Sequence, residues 1–411
     1  MESTGHAPGK AGRLATGFIC VTVLLDAMGI GIIMPVMPDL IEELTDLPIG
    51  AAAIWGGYLT FVYALMQFAF GPTVGNLSDR FGRRPVLIVS LAALTADYLV
   101  MGLAPNLLLL FVARLLSGIA GATHSTANAF IADVTPRERR AQAFGMVGAA
   151  FGVGFVLGPV LGGLTGELGT RAPFFVAAGL AFANFCYGIV VLPESLDRDR
   201  RRDFSWSRSN PLGAVRQVAR MPRVGWLLVA FFLFNLSHYV YPAVWAFFAK
   251  AAFDWGSAEV GLSLALVGVG FVVVQGGLIR VILPRLGEAR TTVAGFLLSI
   301  AGLVGVAFAT EGWMALAVIP VVACGAIVTP ALTGLMANGT PDDAQGELQG
   351  VLASAMAVSM IVTPLLATQL FGHFTDPAAA VRFPGAPFLA AAIVMAVALI
   401  SFAVGVKRVP S

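Results

Sequence analysis

The chain has 411 residues, 58% of them apolar and only 12% charged, with a formal charge of +2 and a mean hydropathy of +0.85. A soluble domain carries about 25% charged residues, so this chain lacks the groups to coat a water-facing surface. That excludes a soluble enzyme, a disordered protein and a secreted scaffold, and it makes lipid the solvent of most of the chain. Cys20, Cys186 and Cys324 lie far apart in apolar runs. They show neither metal-ligand spacing nor a disulfide framework and read as small apolar filler.

Polar residues open the chain, and the apolar run after them is about twice the length of a signal-peptide core, so it stays as an uncleaved first span. A hydrocarbon core of ~30 Å needs about 20 helical residues. Apolar runs of that order recur twelve times, at residues 14–37, 51–75, 86–104, 107–131, 142–167, 173–192, 224–249, 258–282, 291–310, 313–335, 348–371 and 386–406. The expected fold is an all-α membrane protein of twelve transmembrane helices in two six-helix bundles, 1–192 and 223–411. The charged connection 193–222 joins them. Within it, Asn210-Pro211 starts either a basic amphipathic helix on the membrane surface or a plain solvated linker.

Orientation follows from Lys and Arg in the connections. Twenty-one fall on the side of the termini and only Arg171, Lys250 and Arg382 on the other, while Arg114 lies within a span. Both termini are therefore expected in the cytoplasm. Because the basic residues follow topology rather than one folded face, nucleic-acid binding is excluded. Acids are too scattered for a paired general acid and base, and the histidines lack metal-ligand spacing, so no enzyme and no resident metal or cofactor are expected.

One offset recurs between the halves: Gly82 and Gly287, Arg80 and Arg285, Gly145 and Gly350, and Pro159 and Pro364 are each 205 residues apart. With the six-plus-six layout this indicates duplicated halves, an architecture that places sites near the midplane between repeats. The most specific string is Gly75-Asn-Leu-Ser-Asp-Arg-Phe-Gly-Arg-Arg-Pro85. Gly75 permits close helix approach and Gly82 a tight turn. Asp79 and Arg83 can form a charge latch at a cytoplasmic gate, with Arg80 and Arg84 anchored to lipid phosphates. In the second copy Pro284 replaces the aspartate.

Only Asp26, Asp97 and Arg114 are formally charged deep inside spans. Each costs ~2.5–3.5 kcal/mol on insertion scales, so each is expected to be paired or functional, and depth along the helices brings Asp97 level with Arg114. Burial disfavours a charged carboxylate and a nearby guanidinium favours it; their balance can leave a proton exchangeable. Asp26 then carries the proton or competes with substrate, Asp97 is a second coupling carboxylate and Arg114 tunes both. A static ion network that only fixes packing is the other reading.

Helical spacing also proposes a cavity wall. On the fourth span Arg114, Gly118, Gly121, Ser125 and Asn128 form a small polar stripe, with His124 beside it. Tyr63 and Gln67 share a face of the second span. Asn235, His238, Tyr241 and Trp245 line the seventh, and Thr329 and Thr333 the tenth. Aromatic rings with a few directed polar groups suit a planar amphiphilic small molecule. His124 and His238 are proton relays, chelate contacts or ordinary interhelical hydrogen-bond partners.

These strings carry a family resemblance. The 75–85 loop resembles the signature between the second and third spans of major facilitator transporters. Arg114-Leu-Leu-Ser-Gly resembles their motif in which an intramembrane arginine supports proton coupling. Gly154 through Gly158-Pro159-Val-Leu-Gly162-Gly163 resembles the motif of their antiporter branches, here a packing hinge rather than a ligand site. Longer strings, Leu25-Asp-Ala-Met-Gly-Ile-Gly, Tyr63-Ala-Leu-Met-Gln67, Asp97-Tyr98, Ser117-Gly-Ile-Ala-Gly-Ala-Thr123 and Leu348-Gln-Gly350, look like the tetracycline-resistance efflux pumps. That likeness implies exchange of a cytoplasmic, magnesium-chelated tetracycline for a proton, with magnesium entering only as part of the substrate.

The chain departs from those pumps in having no acid at 292–305 and in placing His124 in the fourth span. The expected function is a proton-coupled antiporter in a bacterial plasma (inner) membrane, exporting a tetracycline-like or other amphiphilic drug. A same-fold transporter of a natural product or metabolite stays open, as does, behind it, a non-transporting membrane sensor.

Overall fold

A computed structural model describes residues 10–121, 123–136, 139–204, 224–341 and 344–407, and every regular element in them is helical. The stretch that would hold the amphipathic helix of the central connection lies outside the described residues. Helix is what lipid dictates, because backbone N–H and C=O groups there must be satisfied within their own segment. The surface agrees: Val190, Leu108 and Val89 are among many large apolar side chains left exposed, at 83%, 74% and 67%. In water such a surface would aggregate.

The first half runs α1 (Lys10–Ile33), α2 (Met37–Thr45), α3 (Ile49–Phe81), α4 (Arg83–Leu103), α5 (Leu107–Ala120), α6 (Thr123–Val134), α7 (Arg140–Gly166) and α8 (Ala172–Val191). The second runs α9 (Gly225–His238), α10 (Val240–Phe253), α11 (Ser257–Val273), α12 (Ile279–Ala307), α13 (Gly312–Cys324), α14 (Val328–Asn338), α15 (Gln345–Thr375) and α16 (Ala386–Val406). Local chemistry sets several ends. Asn106 Oδ1 accepts from Leu109 N at 3.0 Å and starts α5. Prolines open α2, α8 and α16, where the missing N–H costs nothing.

Among the described residues nine helices are long and apolar enough to cross a membrane, or ten if the pair bent by 47° at residues 34–36 is one span. The difference from twelve has local causes. The run expected at 107–131 is broken between α5 and α6, and Leu107–Ala120 alone is short. The runs expected at 258–282 and 291–310 join into one helical stretch, Ser257–Ala307, of 51 residues. At 1.5 Å per residue that is about 76 Å, more than twice the ~30 Å core. Gly287, at φ 73° and ψ 168°, turns the chain within it. A π-helical segment, Val274–Leu278, links α11 to α12, and a 3-10 turn, Gly325–Ile327, links α13 to α14.

One helix, α7, ties the molecule together. Gly154, Gly158 and Gly162 recur every fourth residue, and a Cβ on any of them would collide with the backbone of α1, at Leu24, Met28 and Ile32. Close approach therefore requires glycine there. The neighbouring face of α7 serves the other half: a Cβ on Gly163 would meet Ser257 O and Ala258 of α11, and one on Gly261 would meet Pro159 O. The set expected to form one hinge thus divides, three glycines packing α7 within its own half and Pro159 with Gly163 packing it across the seam.

A second seam joins α3 to α15, where Gly50 abuts Thr375 and Gly57 abuts Thr368. Both seams close near the face that carries the turns after α2 and α10. The first seam continues along α7 and α11, where a Cβ on Gly268 would meet Val156 and one on Gly152 would come within 3.8 Å of Val272, while nearer the Gly82 and Gly287 turns a Cβ on Gly145, Gly148, Gly276, Gly277, Gly346 or Gly350 would meet no described atom within 4 Å.

Candidate functional site: an intramembrane charge pair and a latched turn

Asp97 on α4 and Arg114 on α5 form an ion pair, with Arg114 Nη2 donating to Asp97 Oδ2. Asp97 is buried, and its side chain is 2% exposed against 13% for Arg114. Arg114 Nη2 also lies 2.8 Å from Met101 Sδ, and its guanidinium sits 5.2 Å from the centroid of the Tyr63 ring on α3. A cation over a ring face in a dry site is stabilised by the ring quadrupole. The pair is incompletely satisfied, since Asp97 Oδ1 and Arg114 Nε are buried without hydrogen-bond partners. A buried acceptor left free costs about 1–3 kcal/mol.

Asp26 is buried on α1 yet makes no ion pair or hydrogen bond with any described residue. It stands apart from Arg114. Tyr63 and Tyr98 are each within electrostatic reach of Asp26, Asp97 and Arg114. Tyr98 presses its hydroxyl against Gly29, one helical turn beyond Asp26. The three intramembrane charges therefore gather in one region, two in contact and the third within reach of the same two tyrosines.

The same region holds the break in the fourth run. Gly118 packs against Tyr63 O and Met66. Gln67 Nε2 donates to Gly121 O at 3.0 Å and approaches Tyr63 Oη at 3.5 Å. A carbonyl released where α5 ends thus finds its donor on α3, as buried backbone must. Ser125 and His124 fall where side chains lie outside the described residues, and Asn128 is exposed.

The aromatic stripe of the second half is placed differently from the cavity expected of it. Trp245 is fully buried and donates Nε1–H to Ser263 Oγ at 2.9 Å. Tyr241 stacks on it at 4.6 Å, and Phe248 and Phe388 complete the cluster. Asn235 is also buried, its Nδ2 donating to Phe231 O at 2.8 Å. These three side chains are core in this conformation because helical spacing alone does not distinguish a core face from a cavity face. His238 is half-buried, stacked 5.6 Å from Phe234 and tilted 5.7 Å from Phe271. Thr329 and Thr333 are half-buried, and Thr333 Oγ1 donates to Thr329 O within their own helix.

At the opposite end of the first half lies the latched turn. Gly82 has φ 105°, in the range that favours glycine, between α3 and α4. Arg83 Nη1 reaches Asp79 Oδ1 at 2.6 Å and Ser78 Oγ at 2.6 Å, while its Nε donates to Asp133 Oδ2 at 3.1 Å. Glu194 Oε1 accepts from Arg83 N at 2.8 Å, and Arg202 N donates to Asp79 O at 3.1 Å. The segment after α8 is thus laid over the turn. Asp133 and Glu194 went unread in the sequence, although each is an acid placed just where an apolar run ends. Arg80 is exposed and lies over the Phe81 ring at 5.3 Å. Arg84 Nη2 donates to Ile189 O at 2.8 Å in the last turn of α8, where a basic side chain satisfies a terminal carbonyl. Gly75 is half-buried on α3.

Helical bundles exposing apolar surface, two crossing seams and a buried arginine-carboxylate pair define a polytopic membrane protein with the architecture of a transporter. The model of the Major Facilitator Superfamily matches residues 19–364. The chain belongs to that superfamily. It is 41% identical over 350 residues to the tetracycline resistance protein, class C, of Escherichia coli, covering 85% of this chain and 88% of that protein. To the class G protein of Vibrio anguillarum it is 40% identical over 347 residues, covering 84% and 88%. The fold matches that of a bacterial homologue of the human lysosomal transporter Spinster, solved inward-facing and unoccupied, with a TM-score of 0.79 at 15% identity over 98% of each chain.

Proposed function

We propose that this chain is a proton-coupled antiporter with twelve membrane crossings and both termini in the cytoplasm of a bacterial inner membrane. It exports a tetracycline-like or other amphiphilic drug by alternating access of two halves, 1–192 and 223–411, around a midplane site. The observation that carries the reading is the Asp97–Arg114 pair, buried at membrane depth with one carboxylate oxygen unpartnered. Its support is the likeness to the tetracycline resistance proteins over most of the chain.

In this reading the Gly82 face is cytoplasmic, and the halves meet at the far face through the small-residue seams. Substrate enters from the cytoplasm as a chelate that carries any magnesium with it, and the protein needs no cofactor. A proton arriving from outside neutralises Asp97 or Asp26, and loss of the charge on Asp97 releases Arg114 from the pair while it keeps its place over the Tyr63 ring. Occupation by proton and by drug exclude one another, and such coupling is reciprocal. The turn at Gly82 fixes the inner ends of α3 and α4 while the halves rock.

A second reading, a different cargo on the same fold, is favoured by the ninth run. It presents Thr292, bonded to Glu288 O at 2.8 Å, and no acid. Growth of a drug-hypersensitive bacterium expressing the chain, over a compound panel with and without a proton uncoupler, separates the two. Tetracycline resistance abolished by the uncoupler supports the first. Resistance only to other compounds supports the second, and no change in accumulation of any compound contradicts both.

A further inference from the structure

Charged contacts cross between the halves at one place among the described residues, and it is remote from the intramembrane pair. The bend at residues 34–36 carries α2 away from α1 and sets Asp39 in its first turn. There Asp39 Oδ1 accepts from Lys250 Nζ at 2.5 Å and its Oδ2 from Ser257 Oγ at 2.7 Å. Lys250 closes the last turn of α10 and Ser257 opens α11, so both partners belong to the other half. The Lys250 side chain is 14% exposed and that of Asp39 31%. Beside them Glu167 Oε1 accepts from Ala258 N at 3.3 Å. The backbone contacts of Gly163 and Gly261 lie directly beneath. The α3–α15 seam has no such charges; its contacts are Gly50 on Thr375 and Gly57 on Thr368.

We propose that Asp39, with Lys250 and Ser257, is the outer gate latch of this transporter: a positioning group that holds the halves closed at the face away from Gly82 and must release for substrate to leave. The inference rests on the alternating-access reading above. The geometry is that of a charge-assisted contact, shorter and stronger than a neutral hydrogen bond. It joins rigid helix ends, so it opposes separation of the halves without touching substrate. When α11 moves away from α7, Lys250 and Ser257 leave together, and Asp39 returns to water at the start of α2, where the helix N-terminus favours its charge. The latch thus weights the equilibrium between the two states.

The test uses the full chain in lipid nanodiscs with Cys20, Cys186 and Cys324 replaced by serine. Spin labels sit at Leu168 and Thr310, exposed positions at the closed face of each half. Pulsed electron resonance then reports the fraction of molecules with a long outer distance. Asp39→Asn and Lys250→Gln are each expected to raise the ratio of open to closed molecules about fivefold, the scale of a partly exposed ion pair. The exchange Asp39→Lys with Lys250→Asp should bring it back towards the wild type. Single variants with the wild-type distribution, or an exchange that stays open, overturn the latch. A wild-type distribution unmoved by pH and by drug instead sinks alternating access, so the two failures are distinguishable.

Discussion

The turns at Gly82 and Gly287 stand 205 residues apart and share a backbone, with φ 105° and 73°, yet they are held by opposite chemistry. In the first, Arg83 follows the glycine and bonds Asp133 at the end of α6. At the same offset the second turn carries Glu288, and it bonds Asn338 at the end of α14, with Nδ2 at 3.0 and 3.1 Å from the two carboxylate oxygens. The position of the contact survives in both halves while its charge is reversed. Around Gly82 lie Asp79, Asp133, Glu194 and Arg201, whereas a Cβ on Gly287 would meet nothing within 4 Å. The two turns share their geometry, and the divergence in their contacts assigns the latch to one half.

Substitutions can break or sharpen this contrast. The largest effect is expected at Arg83→Gln. It leaves Asp79 and Asp133 without their shared cation, a loss of about 2–3 kcal/mol for partly buried charged hydrogen bonds, and drug transport by cells should fall at least tenfold. Next comes Gly82→Ala, where left-handed backbone strain adds to a collision with the Glu194 carboxylate; about 2–3 kcal/mol is expected in thermal melting. Gly287→Ala meets the strain alone, about 1 kcal/mol. The smallest effect is at half-buried Glu288→Gln, which keeps an acceptor for Asn338 and costs under about 0.5 kcal/mol. Equal losses at Gly82 and Gly287 would erase the asymmetry.

Most of the fold was legible because lipid imposes it: apolar runs of spanning length have no alternative to helix. The breaks were not. Gly121 ends α5 because Gln67 on another helix takes its carbonyl, a tertiary event with no local signal. The Asp97–Arg114 contact was readable from depth, since two charges at one level in hydrocarbon must find each other. Asp26 was read as an intramembrane charge, but its nearness to Tyr63 and Tyr98 had no signal in the sequence. Trp245 and Tyr241 illustrate the converse limit: aromatic spacing marks a face, and only packing says whether Phe388 or a ligand fills it. Lys250 was counted only as a connection charge and Asp39 went unread, and nothing in either local sequence brings residues 211 apart together.

Coupling through Asp97 is the central claim, and proton-driven drug uptake into everted membrane vesicles tests it most directly. With equal protein levels, Asp97→Asn should still bind drug from the cytoplasmic side but fail to accumulate it when an acid-inside gradient is imposed, and drug addition should release no protons. Wild-type accumulation and proton release in Asp97→Asn would contradict the account and leave the pair with Arg114 as packing alone.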